Sequence, residues 1–181
     1  MTRSADHKGL ATALGHDLRP FGLRLSGPLD PTALHAALDG LAGRHEALRT
    51  TFGTVDGQPV QVIAAHGEVP LRTVDLSTVD SADREAAVRG LLAEELSRPF
   101  DLSRGPLTRT LLVRREEEDH VLLLSQHHIV TDGWSVRLLV DELIERYAAA
   151  VRRTGPVLPE RSIDYPDYAV WHRDRLTEPV S

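Results

Sequence analysis

Residues 121–139 read Val-Leu-Leu-Leu-Ser-Gln-His-His-Ile-Val-Thr-Asp-Gly-Trp-Ser-Val-Arg-Leu-Leu. The unbroken apolar run at 121–124 is the pattern of a strand covered on both faces, where no alternate position has to be polar. Side chains alternate along a strand, so His127 and His128 point to opposite faces wherever the extended conformation persists, and the two cannot do the same job. Asp132 and Gly133 mark a turn, because glycine reaches positive φ at little cost and aspartate bonds its own backbone. Beyond the turn, Val136, Leu139, Val140, Leu143, Ile144, Tyr147 and Val151 recur at helical spacing. The histidines therefore sit where a central strand gives way to a long amphipathic helix.

Upstream, residues 21–25 alternate apolar with small or polar side chains and read as a strand. Asp30 is placed as an N-cap with Pro31 at the first helical position, and Leu34, Ala37, Leu38 and Leu41 give that helix its apolar stripe. Gly57 predicts a hairpin turn before residues 59–63. A short strand at 70–75 and a helix at 81–97 closed by Pro99 follow, the helix carrying Ala87, Val88, Leu91, Leu92 and Leu96 on one face. Residues 108–114 and 120–128 make an antiparallel pair across a charged turn at 115–119. Residues 1–19 show no period and read as irregular, residues 20–175 as one folded unit, and residues 176–181 as a tail. A chain of 181 residues fits a single domain with a substantial core.

The formal net charge of −6 provides no basic field for a phosphate backbone, which argues against nucleic-acid binding. With no cysteine, disulfides, thiolate catalysis and cysteine-based metal sites are excluded. No apolar stretch approaches the length of a membrane span or of a secretory leader, so the expectation is a cytoplasmic chain without a membrane partner. His45, His66, His120 and His172 lack metal-ligand spacing, and no metal is expected.

The run His127-His128-Ile129-Val130-Thr131-Asp132-Gly133 resembles the HHxxxDG signature of the condensation domains of nonribosomal peptide synthetases, and Trp134-Ser135 matches its extended form. Residues 44–52, Arg-His-Glu-Ala-Leu-Arg-Thr-Thr-Phe, are similar to that family's RHExLRTxF motif at every fixed position. Residues 99–102 and 105–107 resemble its PFDL and GPL elements, and residues 165–172 match YxDYAVWQ except that His172 stands in place of Gln. The family's first motif is not found in residues 1–19. Several such motifs in the expected order are far more specific than any one alone.

The resemblance implies an α/β fold, a two-layer α+β sandwich in which a mixed sheet is packed by helices, forming one chloramphenicol acetyltransferase-like lobe. A complete condensation domain has two such lobes with the active tunnel between them, and the resemblance here covers only the first. It implies amide bond formation in antibiotic biosynthesis, between aminoacyl or peptidyl thioesters borne on the phosphopantetheine arms of peptidyl or acyl carrier proteins, with no bound cofactor. His128 is then the group that meets the reacting amine, with Gly133 presenting its backbone N–H nearby. His127 packs into the fold, and Trp134 is wall rather than reagent. Asp132 is expected to pair with Arg44 or Arg49, and breaking a buried pair of that kind costs about 3–5 kcal/mol.

Two other readings compete. A lone His-His pair at a strand end is more often structural than catalytic, so the chain can equally be a non-catalytic lobe that docks or scaffolds carrier proteins. It can also be a small oligomeric acyltransferase using CoA, although no basic cluster favours that. The missing opposite wall weighs on activity. Holding two substrates in register is worth ~7–11 kcal/mol, whereas a positioned base contributes about 10²- to 10⁴-fold. A second lobe or self-association has to supply the larger share.

Overall fold

The computed structural model describes residues 3–4 and 18–159, together with Asp167, Trp171 and Arg175. Seven strands and three α-helices follow one another in these residues: β1 (Arg3–Ser4), β2 (Leu18–Ser26), α1 (Pro31–Arg44), β3 (Thr50–Val55), β4 (Gln58–Ile63), β5 (Leu71–Asp75), α2 (Ser81–Ser97), β6 (Thr108–Glu116), β7 (Asp119–His127) and α3 (Gly133–Arg152). Short 3₁₀ turns at Glu46–Arg49 and His128–Val130 complete the order. A five-stranded sheet runs β1-β2-β7-β6-β5, and β3 and β4 form a separate hairpin. The pairs are antiparallel except β5 with β6, which are joined through α2 and run parallel. The sheet is therefore mixed, as expected.

Alternation along the strands divides the core in two. Leu23, Leu25, Leu112 and Leu122 pack with α1 and α3 through Leu34, Leu38, Leu41, Leu139, Val140 and Leu143. Leu111, Val113 and Leu123 face the other way and meet Val88, Leu92 and Leu96 of α2. Helices thus cover both faces of the sheet, α1 and α3 on one side and α2 on the other. That is why residues 121–124 are apolar without interruption. Each fully buried leucine of this set contributes about 1.5–3 kcal/mol.

Local chemistry sets the element ends. Asp30 caps α1 by accepting from the Thr32 and Ala33 backbone N–H groups at 2.9 and 3.1 Å. Asp56 and Gly57 turn the β3–β4 hairpin with φ of 51° and 77°, the positive pair that a two-residue turn between twisted strands requires. The turn at 115–119 is tighter than expected. β6 and β7 continue to Glu116 and from Asp119, because Arg115 reaches Glu85 at 2.9 Å and Asp119 at 3.1 Å and so keeps the charged residues on the strands.

The segment expected to be irregular contains strand. β2 begins at Leu18, opposite His127, and Arg3–Ser4 pairs with Leu25 and Arg24. Pairing with an already formed sheet supplies backbone hydrogen bonds that no local period announces. Residues 165–172 lie outside the described residues apart from Asp167 and Trp171. Both are helical, and the Trp171 ring lies 4.8 Å from the Arg175 guanidinium carbon. Among the described residues, no helix is long and apolar enough to cross a membrane.

Candidate functional site

β7 ends at His127, and the chain turns at once into the His128–Val130 3₁₀ turn and then into α3. The parity of β7 places His127 with Leu123 on the α2 side of the sheet, where its ring meets Phe100 edge-to-face with centroids 6.1 Å apart. Its Nδ1 accepts a hydrogen bond from the Ile129 backbone N–H at 3.1 Å. A nitrogen that accepts carries no proton, so the neutral His127 ring holds its hydrogen on Nε2. That contact starts the turn and ends the strand.

His128 is exposed and takes the opposite tautomer. Its Nδ1 lies 2.6 Å from the Thr131 carbonyl oxygen. A carbonyl can only accept, so Nδ1 donates, and in the neutral ring Nε2 keeps its lone pair. The same residue lines an open cleft of about 450 Å³ with His45, Leu48, Val130, Thr131 and Leu139 among its walls. The cleft lies between the start of α3 and the turn that follows α1. The two histidines are thus separated in space as well as in protonation: one is held against an aromatic ring, the other opens onto the cleft.

Asp132 is placed differently from the expectation. Its carboxylate caps α3, accepting from the Ser135 backbone N–H at 2.7 Å. The Ser135 hydrogen bonds hold this carboxyl below the usual aspartate range. The arginines expected to pair with it have other carboxylates. Arg49 donates to Glu46 at 3.0 Å and to the Ala64 carbonyl. Arg44 approaches Glu142 at 3.4 Å and donates to the Pro159 carbonyl. The reason is proximity: Glu46 shares a 3₁₀ turn with Arg49, and α1 packs on α3 beside Glu142. Arg49 thus braces the turn after α1, and Arg44 ties the end of α1 to α3.

Gly133 is the first residue of α3, and a Cβ there would meet nothing within 4 Å, so no neighbour inside this lobe demands glycine. Trp134 is 75 % exposed on the next position and is not among the cleft-lining residues. The apolar wall on this side is built by Ile129, Val130, Leu138 and Leu139 instead.

Sequence reasoning missed His45 and Glu142. His45 lines the cleft, and its Nε2 lies 2.9 Å from Glu142, which also accepts from Arg146 at 2.7 Å. Burial opposes ionisation of Glu142, but the hydrogen bonds from Arg146 and His45 outweigh it and hold the carboxyl below the usual range. The available signal was spacing, since Glu142 follows cleft-lining Leu139 by three helical positions.

Known proteins resemble the chain in sequence and in fold. The sequence profile described as Condensation domain matches residues 16–179, starting a few residues before the boundary expected at 20. A linear gramicidin synthase of Brevibacillus parabrevis is 45 % identical over 157 residues, covering 87 % of this chain and 2 % of that protein. The X-domain solved in complex with OxyB from teicoplanin biosynthesis superposes with a TM-score of 0.79 at 31 % identity, over 93 % of this chain and 35 % of the other. VibH, solved as an NRPS condensation enzyme, gives a TM-score of 0.71 at 25 % identity over 90 % of this chain and 36 % of its own. The chain thus spans little more than a third of these solved relatives and a small fraction of the curated one. It belongs to the condensation domain family.

Proposed function

We propose that this chain forms the histidine-bearing wall of a site that joins a carrier-bound acyl thioester to an amine. The observation that most supports this reading is the hydrogen bonding of His128: its Nδ1 meets the Thr131 carbonyl at 2.6 Å, which makes Nε2 the basic nitrogen of a residue that lines an open cleft. Imidazole is the side chain most often used to take a proton from a reacting group. The amine nitrogen attacks the thioester carbonyl and forms the C–N bond. Nε2 takes the proton that the nitrogen loses, the C–S bond breaks, and the same proton passes to the departing thiolate. The Gly133 N–H, first in α3, offers a donor for the oxyanion at the positive end of the helix dipole.

The substrates arrive on phosphopantetheine arms of peptidyl or acyl carrier proteins, in the cytoplasm. The opposite wall comes from a second lobe or a second copy. Exposed Ile129, Trp134 and Leu138 at 40, 75 and 54 % support such a covering, since all three lie at the start of α3 or on the turn before it. The test is His128→Ala in the protein that contains this lobe with its opposite wall, supplied with loaded carrier proteins. The expected result is amide product falling by about 10²- to 10⁴-fold with an unchanged melting temperature. An undiminished rate would overturn the reading.

The likeness to an X-domain solved with OxyB supports a second reading, a lobe that docks a partner protein and performs no chemistry. In that case His128→Ala leaves both partner binding and product yield intact.

A further inference from the structure

His127 touches neither the cleft nor a reacting group, yet the turn that presents His128 begins on its Nδ1. The ring is held by Phe100 at 6.1 Å and 85°. Phe100 is in turn fixed by Arg109, whose guanidinium carbon stands 3.9 Å from its centroid. Arg109 is itself immobilised: it donates to the carbonyls of Pro99, Glu95 and Arg98 at 3.1, 3.3 and 2.8 Å, and its Nε lies 2.8 Å from the Glu95 carboxylate. Glu95 is 1 % exposed and also accepts from Arg98 at 2.9 Å. A buried carboxylate on a helix otherwise packed through leucine and valine is costly unless paired, so this cluster is a rigid anchor with a specific geometry. It ties the end of α2 and the segment leading to Phe100 to β6.

We propose that Phe100 and Arg109 are positioning residues for His128, acting through the tautomer of His127. With the Phe100 ring in place, His127 has one orientation, Nδ1 faces the Ile129 N–H, and the turn closes so that the Thr131 carbonyl meets His128 Nδ1. Without it the His127 ring can rotate about its side-chain torsions, Nδ1 leaves Ile129, and the His128 to Thr131 contact loses its partner geometry. The two adjacent histidines then lose their opposite tautomers together. This inference rests on reading His128 as the proton acceptor, but its test needs no turnover.

The experiment is long-range ¹H–¹⁵N spectroscopy of the imidazoles in the whole chain at pH 8, for the parent, Phe100→Leu, Phe100→Tyr and Arg109→Lys proteins, each checked by circular dichroism. The parent is expected to show His127 with its proton on Nε2 and His128 with its proton on Nδ1. Phe100→Tyr keeps the ring and should match the parent. Phe100→Leu, and Arg109→Lys with its lost planar fork, should shift both histidines toward mixed tautomers while the helical signal is retained. Unchanged tautomers in Phe100→Leu, or equal change in Phe100→Tyr, would overturn the proposal. So would loss of fold in Phe100→Leu, since the half-buried phenyl would then be a packing residue alone. The expected tautomers in the parent, together with no amide-forming activity from the lobe joined to its opposite wall and supplied with loaded carrier proteins, would overturn the functional reading and leave the positioning role standing.

Discussion

Replacing Asp132 separates two accounts of what an acidic residue does between the histidine turn and a helix. A carboxylate in a buried ion pair loses about 3–5 kcal/mol when its charge is removed. The structure instead gives an exposed N-cap with its oxygen 2.7 Å from the Ser135 N–H. Loss of an N-cap costs about 0.5–2 kcal/mol, so Asp132→Ala should lose about 1 kcal/mol. Asparagine caps nearly as well and forfeits only the charge at the helix dipole, so Asp132→Asn should lose about 0.3–1 kcal/mol. For a chain of this size each kcal/mol moves the melting temperature by ~2–4 °C. The assay is urea and thermal unfolding at neutral pH and again below pH 4. Because the Ser135 hydrogen bonds lower the folded pKa, the contribution of the charge is present above the unfolded value near ~3.9 and disappears as pH falls through the folded one. The difference between parent and Asp132→Asn should therefore close in acid. A loss of ~3–5 kcal/mol in Asp132→Asn, matching that of Asp132→Ala, would refute the capping account.

Two further expectations concern the rest of the fold. Glu142→Ala removes the carboxylate that Arg146 meets at 2.7 Å and His45 at 2.9 Å, at a site 11 % exposed, and should cost about 3–5 kcal/mol in denaturant unfolding. Since its folded pKa is lowered, the parent should lose this stabilisation as pH falls through that value, a dependence that Glu142→Gln lacks. His120 is buried in β7, and burial followed by the charge of Arg114 depresses its pKa. A depressed histidine binds fewer protons folded than unfolded, so stability is full above about pH 6.5 and declines below it. His120→Leu should flatten the change in urea midpoint between pH 7 and 5, and an unaltered slope would assign the dependence elsewhere.

Elements and their order were legible in the amino-acid string. Period and capping were enough for α1, α2, α3, the Asp56–Gly57 hairpin and the central place of β7, because each is dictated by interactions within a few residues. Strand parity would have parted His127 from His128 only had the strand continued; β7 ends at His127, and the 3₁₀ turn that begins at His128 sends the second ring to the cleft. Which charges meet was settled only by packing. Arg44 and Arg49 have several acidic residues within reach in sequence or in space, and the seating of α1 on α3 assigns Arg44 to Glu142 and leaves Asp132 to its helix. The strand from Leu18 likewise exists because β7 offers it a partner. The burial of Glu95 under Arg109, and through Phe100 the setting of His127, depend on segments brought together from 95 to 127 in the chain. Local pattern cannot encode such encounters, because their free energy comes from desolvated contacts that do not exist until the sheet and α2 have packed.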